Sequence, residues 1–310
     1  MFRKILVPTD FSSYAHKMQE CLAQMPGLEE VVLLNVVDAS NPMNLERKGW
    51  SYDSLIDEAQ TRLAEQSGYL SHLGEKGLPV RQILKIIVEP MSGADGVDMK
   101  RLKPDFGLSL IEGGSIGEAI IKTAVEEKAS LICMGAQGKG LIEGMLLGSV
   151  STEVLRKGQT DLLIIRHKIL EGSNDEQLGG LCRNIFSRVL LTTDFSQAGK
   201  VAISAIKDLD AIKEILLANV ITREEEFEDA AKRLNLLREE LKGLSAKITV
   251  HVLMGQSAQE IITLAEKQDV SLIMMGSQGK SWSRQIRVGS TTFDVARKAK
   301  SPVLVIRSIT

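Results

Sequence analysis

Aromatic side chains are scarce in this chain. Two Trp, three Tyr and seven Phe make up about 4% of 310 residues. That leaves few platforms for stacking bases and speaks against a single-stranded nucleic-acid binder. An excess of positive charge is also missing: 38 Lys and Arg stand against 40 Asp and Glu, a net charge of −2. Neither nucleic acid nor an anionic membrane finds an electrostatic handle here. Cysteine is limited to Cys21, Cys133 and Cys182, scattered, odd in number and without CxxC spacing. This pattern speaks against a zinc site and a disulfide framework, and makes a reducing cytoplasm the expected setting. His16, His72, His167 and His251 form no HExxH or i, i+4 pair and read as surface or structural residues, so no metal site is expected. No apolar run approaches the ~18 residues of a membrane span. The opening "MFRKILVPTDFSS" is too short in its apolar part for a signal peptide. What remains is an ordinary globular composition, 44% hydrophobic and 25% charged. The length suggests two domains.

The chain repeats itself. "RKILVPTDFS" (3–12) matches "SRVLLTTDFS" (187–196), and "LLNVVD" (33–38) matches "LANVIT" (217–222), both at an offset of 184. "LICMGAQGKG" (131–140) matches "LIMMGSQGKS" (272–281), and "GSVSTEVLRKGQTDLLIIR" (148–166) matches "GSTTFDVARKAKSPVLVIR" (289–307), both at 141. Two copies of one domain, in the same order, are the simplest source of this pattern. The offset falls to 166 at Gly77 and Gly243, and to 141 at Gly114 and Gly255. The first copy therefore carries 18 extra residues after its second strand and 25 after its third. The expected division is 1–168 and 185–310, with an insertion at about 89–112 and a polar, Gly-rich linker around 167–184. Apolar runs rich in Ile, Leu and Val alternate with helix-length stretches. They predict five parallel strands per copy: Ile5–Pro8, Val31–Val37, Arg81–Val88, Leu131–Met134 and Leu162–Ile165, then Val189–Thr192, Glu214–Val220, Lys247–Leu253, Leu272–Met275 and Val303–Ile306. The fold class is α/β, two doubly wound, Rossmann-like domains in tandem.

Ligands of such sheets sit beyond the strand C-termini. There each copy shows the same spacing: Gly135-x2-Gly138, nine residues, Gly148-Ser149, and Gly276-x2-Gly279, nine residues, Gly289-Ser290. Glycines permit positive φ and leave backbone N–H groups uncovered, and a following helix start favours an anion. The plainer reading, glycines that only turn the chain, loses ground because the spacing occurs twice. About four amides at roughly 1.5–3 kcal/mol each give ~6–12 kcal/mol gross. Association costs at least ~4 of this, so base and ribose contacts are needed to reach micromolar affinity. "GKS" at 279–281 is not a Walker A loop, because Met274 and Cys133 stand where its first glycine belongs. Neither first strand is followed by GxGxxG. Asp10 and Asp194, at the ends of the first strands, either accept from ribose hydroxyls or cap the next helix, and the two roles are compatible.

The G-x2-G-x9-G-[ST] pattern, the Asp after strand one and the Val-Val-Asp end of strand two resemble the universal stress protein family, in its tandem two-domain form. The resemblance covers nearly all of both copies. It implies an adenine nucleotide alpha hydrolase-like sheet of order 3-2-1-4-5 and binding of ATP or AMP. By resemblance, Pro8, Thr9, Asp10 and Val36 face adenine and ribose in the first copy. Met134, Gly135, Gln137, Gly138, Gly148, Ser149, Val150 and Ser151 line ribose and phosphates. The second-copy positions are Thr192, Thr193, Asp194 and Val220, then Met275, Gly276, Gln278, Gly279, Gly289, Ser290, Thr291 and Thr292. Thr192 departs from the Pro that members commonly carry. The loop "KSWSRQIRV", with Lys280, Arg284 and Arg287, departs more than "KGLIEGMLL", so the first copy is expected to be the better nucleotide site. The resemblance also implies that the last strands, "DLLIIR" and "PVLVIR", pair across a two-fold axis, here within one chain as a pseudo-dimer, with a homodimer as a further possibility.

The function expected is a nucleotide-binding, stress-response regulatory module of the cytoplasm, with no catalytic residues and an unidentified protein partner. Mg²⁺ can accompany ATP through Asp10 or Ser149. The alternatives are a slow ATPase or phosphotransferase, with Gln137 or Gln278 orienting water, and a nucleotide-free scaffold. The insertion around 90–111, rich in Gly, Asp and Pro, reads as a mobile loop near the ligand edge.

Overall fold

The computed structural model describes residues 2–22, 25–40, 52–73, 77–88, 107–136, 147–166, 182–209, 211–278 and 288–307. The first half runs β1 (Lys4–Pro8), α1 (Ser13–Leu22), β2 (Glu30–Asp38), α2 (Tyr52–Leu73), β3 (Val80–Val88), β4 (Gly107–Glu112), α3 (Ile116–Glu126), β5 (Leu131–Gly135), α4 (Ser149–Lys157) and β6 (Asp161–Ile165). The second half runs β7 (Arg188–Thr192), α5 (Gln197–Ile206), β8 (Glu214–Ile221), a 3₁₀ turn, α6 (Phe227–Glu240), β9 (Lys247–Met254), α7 (Ser257–Lys267), β10 (Leu272–Gly276), α8 (Ser290–Lys298) and β11 (Val303–Ile306). All ten expected strands are present, with an eleventh besides.

The strand runs are apolar throughout because both faces are covered. Ile5, Val7, Val31 and Leu33 point into one core with side chains of α1, α2, α5 and α6. Leu6, Val32 and Leu34, one residue out of phase, point into a second core with α3, α4, α7 and α8. A strand that feeds two cores loses the polar half of its alternation.

The sheet has 11 strands in the order β4-β3-β2-β1-β5-β6-β11-β10-β7-β8-β9. Each half keeps the expected 3-2-1-4-5 order. The halves meet at β6 and β11, which pair antiparallel with Val303 opposite Ile164 and Val305 opposite Leu162. All other pairings are parallel. Two edges that would otherwise expose unpaired amides thus satisfy each other. Arg166 and Arg307 follow these strands and cross the seam in opposite directions. The Arg166 guanidinium donates to the Ala296 carbonyl in the last turn of α8. Arg307 donates to the Leu155 carbonyl in the last turn of α4 at 2.6 Å. A cation at a helix C-terminus is favoured by the dipole and meets carbonyls that lack an intrahelical partner.

Two expectations need correction. The insertion is not all loop: Gly107–Glu112 adds β4 parallel to β3, from Ile83 opposite Gly107 to Val88 opposite Glu112. The Gly, Asp and Pro content of 90–106 hides the short apolar hexapeptide GLSLIE that follows, and it becomes a strand on the waiting edge of β3. Residues 90–106 of the insertion, and linker residues 167–181, lie outside the described residues. The second correction concerns cysteine. Cys21, near the end of α1, and Cys182, just before β7, form a disulfide across 161 residues of sequence. Spacing could not reveal it, because tertiary packing brings the start of the second half against α1. Phe2 and Phe186 lie nearby in the same core, with ring centroids 6.5 Å apart. Disulfides persist mainly in oxidising compartments or in intracellular proteins of hyperthermophiles, so cysteine usage no longer favours a reducing cytoplasm. Cys133 is free and buried, and burial pushes its thiol pKa up beyond the ordinary range. No helix among the described residues is long and apolar enough to cross a membrane.

Candidate functional site

Each half builds the same turn where its first strand ends. In the first, the Thr9 hydroxyl accepts the Phe11 N–H at 3.1 Å and Asp10 Oδ1 accepts the Ser12 N–H at 3.0 Å. In the second, Thr193 accepts the Phe195 N–H and Asp194 Oδ1 the Ser196 N–H, each at 3.0 Å. Buried Asn35 and Asn219, on the second strands, donate to the Thr9 and Thr193 carbonyls at 2.8 and 2.7 Å. These bonds hold Phe11 and Phe195 at φ 61° and 62°, a left-handed conformation that costs a bulky residue about 1–3 kcal/mol. The Arg233 guanidinium lies 3.9 Å above the Phe195 ring, and Arg62 lies 5.6 Å from that of Phe11. The strained Phe was not among the expected site residues, although "TDFS" in both copies carries the signal. The helix cap falls to serine: Ser196 accepts the Gly199 N–H. Asp10 and Asp194 instead fix the turn that leads into the helix.

The fourth strands end at Gly135 and Gly276. Beyond them the loop is pinned at its base: the Gly148 N–H donates to the Ala136 carbonyl and the Gly289 N–H to that of Ser277, both at 2.8 Å. The Ser151 hydroxyl donates to the Gly135 carbonyl at 2.8 Å, and that of Thr292 to the Gly276 carbonyl at 2.9 Å. These two hydroxyl protons, expected on phosphate, are directed to the strand ends. The glycines also differ from expectation. Gly148 and Gly289 are extended, with φ −67° and −72°, and neither Gly135 nor Gly276 has positive φ. Gly276 is required for a different reason. A Cβ there would come 2.6 Å from the Ala198 carbonyl oxygen, so α5 could not approach β10. Past each N-cap glycine, the first-turn N–H groups of α4 and α8 receive no bond from the cap side chain.

In the second half these pieces surround a cavity of about 280 Å³. Thr192, Thr193, Asp194, Val220, Met275, Gly276, Gln278, Gly289, Ser290, Thr291 and Thr292, eleven of the twelve expected positions, line it. The twelfth, Gly279, lies outside the described residues, as do Lys280, Arg284 and Arg287. Five lining residues were not anticipated: Gly199, Ala218, Asn219, Ser257 and Ile261. Asn219 was legible in the "LNVVD"/"LANVIT" match; Ser257 and Ile261 come from α7, which only packing brings to the crevice. Asp194 is the single ionisable side chain among the described lining residues.

The first half brings Pro8, Thr9, Asp10 and Val36 to the ends of β1 and β2. It brings Met134 and Gly135 to the end of β5, and Gly148, Ser149, Val150 and Ser151 to the start of α4. Gln137 and Gly138 lie outside the described residues. The first-half crevice is described only in part, because residues 137–146 of its loop lie outside the described residues. Among the described residues no group of three or more His, Cys, Asp or Glu is placed to hold a metal ion.

A doubly wound α/β fold used twice, with a crevice at the strand ends of the second half, defines a tandem Rossmann-like protein. The profile of the universal stress protein family matches residues 1–166 and 186–307, and the chain belongs to that family. A universal stress protein of Mycobacterium tuberculosis is 23% identical over 326 aligned positions, covering 98% of this chain and 94% of the relative. One of Methanocaldococcus jannaschii is 27% identical over 155 positions, covering 40% of this chain and 96% of that shorter protein. The crystal structure of a universal stress protein from Archaeoglobus fulgidus superposes with a TM-score of 0.70 at 23% identity, covering 99% of both chains. Proteins of this family are in general stress-response binding proteins rather than clear enzymes.

Proposed function

We propose that this protein is a stress-response module that binds an adenine nucleotide, ATP or AMP, in the crevice at the strand C-termini and reports it through its shape. The observation that carries this reading is the cavity lined by eleven of the positions that the family resemblance implies for the second half. At about 280 Å³ it lies at the lower end of the ~300–1,000 Å³ typical of small-molecule sites. That suits a nucleoside, with its phosphates running outward over Gly289–Thr292. There the first-turn amides of α8, which receive no side-chain bond from the glycine N-cap, favour negative charge. Val220, Ile261 and Met275 offer an apolar wall to the base. Asp194 is positioned to accept from ribose hydroxyls while its Oδ1 holds the turn.

Binding without turnover fits the crevice better than hydrolysis. A phosphoryl-transfer site works by positioned cations and a group that orients the nucleophile. Asp194 alone does not supply that set among the described lining residues. Mg²⁺ bound through the nucleotide's own phosphates is compatible with this reading and is not required by it.

Mass spectrometry of small molecules released from denatured, freshly purified protein tests the reading, together with calorimetric titration of ATP and AMP. Adenine nucleotide is expected in the released fraction, with a rise in melting temperature on adding it back. Asp194→Asn keeps an acceptor for the Ser196 N–H but removes a charged acceptor. It is expected to weaken binding about ten- to a hundredfold, the worth of one charge-assisted hydrogen bond. No nucleotide released and no binding at millimolar ATP would end the proposal.

A further inference from the structure

We infer that the second half is the nucleotide-loaded half and that Ser257, on the first turn of α7, is the residue that sets it apart. This inference rests on the nucleotide reading above and adds which crevice is used and by what device. Four differences between halves support it, each read at matched repeat positions.

The first concerns room. Gly199 lines the cavity, and its counterpart is Ala15. A Cβ at 199 would lie 2.7 Å from the Thr193 hydroxyl and 3.4 Å from Asp194 Oδ1. The second concerns hydrogen bonding. Ser257 lines the cavity, whereas its counterpart Ile116 is a hydrophobic residue packed against the core beneath α3. A hydroxyl at the crevice can bond a ligand oxygen; an isoleucine cannot.

The third concerns how the turn before the helix is tethered. In the first half, Glu153 of α4 reaches the start of α3. Its carboxylate accepts from the Ser115 hydroxyl at 2.7 Å and from the Gly117 N–H. Ser115 and Gly117 flank Ile116, so a carboxylate is fastened beside the position that corresponds to Ser257. Its bonds to Lys157, Ser115 and Gly117 outweigh partial burial and hold its pKa below the usual value, so it is ionised. Gly117 makes this placement possible, because a Cβ there would overlap the carboxylate. The second half has Ala258 in place of Gly117. Its shorter Asp294 pairs with Arg297 at 3.4 Å and Lys298 at 3.7 Å. The N-cap of α7, Gln256, makes no side-chain cap bond. Both carboxylates pair with the lysine four residues on, Glu153 with Lys157 at 2.8 Å and Asp294 with Lys298 at 3.7 Å; the difference is that Glu153 is also fastened to the turn that carries Ile116, which holds that turn closed against a ligand.

The fourth concerns the acceptors themselves. Asp10 Oδ1 receives the Ser12 hydroxyl at 2.6 Å as well as its N–H, and the Thr9 hydroxyl is drawn to Gln66 at 3.0 Å. The Ser12 and Ser196 hydroxyl oxygens each accept a helix N–H, from Ala15 and Gly199 at 3.2 Å, so that bond is shared and the Thr9–Gln66 bond of the first half is the remaining difference.

The test is calorimetric titration and native mass spectrometry of the full chain with ATP. One tight equivalent is expected for the unaltered protein. Ser257→Ile should weaken it by about tenfold or more, through one lost hydrogen bond and added bulk. Ile116→Ser should leave the tight class unchanged. Hydrogen exchange of the unaltered protein gives a readout independent of any variant: ATP should protect 257–261 and 289–292 and leave 116–120 and 148–151 as they were. Two equivalent sites, protection of the first-half segments instead, or unchanged affinity in a folded Ser257→Ile protein overturns this inference while the nucleotide reading stands. No ATP binding to the unaltered protein overturns both.

Discussion

Gly276 illustrates how one residue serves two demands. It lines the cavity, yet what forbids a side chain there is the Ala198 carbonyl, 2.6 Å from where a Cβ would sit. The obstacle is backbone and cannot rotate away. Gly276→Ala should therefore destabilise the protein by about 1–3 kcal/mol, the usual cost of overpacking, seen as a lower urea midpoint without any ligand present. An unchanged midpoint would mean that α5 moves freely away from β10. Loss of nucleotide binding in a glycine variant at 276 is accordingly no proof of direct contact, whereas Asp194→Asn and Ser257→Ile probe contact. Phe11 and Phe195 make a related point. Their left-handed backbones persist because a threonine, an aspartate and an asparagine fasten each turn from three sides. Thr193→Val removes the acceptor of the buried turn and should cost about 1–3 kcal/mol, the desolvation penalty of an orphaned amide; urea unfolding measures it.

At the scale of elements, the seam between β6 and β11 is symmetric in its arginines but not in its acids. Asp161 Oδ1 accepts the Arg307 N–H at 2.7 Å, while the repeat partner of Asp161 is Pro302, so Arg166 meets no carboxylate from that position. Burial lowers the Arg166 pKa to about 10. Burial also dominates at Asp161, raising its pKa from 3.8 to about 6 despite the opposing pull of Arg307. A carboxyl whose folded pKa is raised binds its proton more tightly in the native state. Its contribution to stability is therefore complete below about pH 4 and is lost as pH rises towards 6. Two units correspond to about 3 kcal/mol as an upper figure. Asp161→Asn keeps an acceptor for the Arg307 N–H and removes the titration. Relative to the unaltered protein, the variant should gain stability between pH 4 and 7, measured by denaturant titration at each pH. A difference that stays flat with pH would refute the assignment.

For the whole molecule, the two halves are joined by the linker, by the β6–β11 ladder with the arginines that cross it, and by Cys21–Cys182. A cross-link closing 161 residues removes chain entropy worth up to about 5 kcal/mol from the unfolded state. Reduction, or Cys182→Ser, should lower the melting temperature by many degrees without changing the native secondary structure. Circular dichroism melts with and without reductant check this, and coincident melts would show that the bond contributes nothing.

Much of this protein could be read in advance because the signals are local and occur twice. Ten strands were legible since a strand covered on both faces needs an unbroken apolar run, and the copies confirmed one another's register. Eleven of twelve second-half positions gathered at one cavity because strand ends and helix starts in a parallel sheet are fixed by topology. What the sequence could not decide were contacts between distant parts of the chain. The disulfide depends on α1 meeting the start of the second half, and β4 on an edge awaiting a strand. The need for glycine at 276 depends on a helix crossing close above it, and the arrival of Ser257 at the crevice on the packing of α7. Periodicity and spacing record what a residue's neighbours along the chain require; only packing in three dimensions determines which surfaces meet, and so which side chains gather at the crevice.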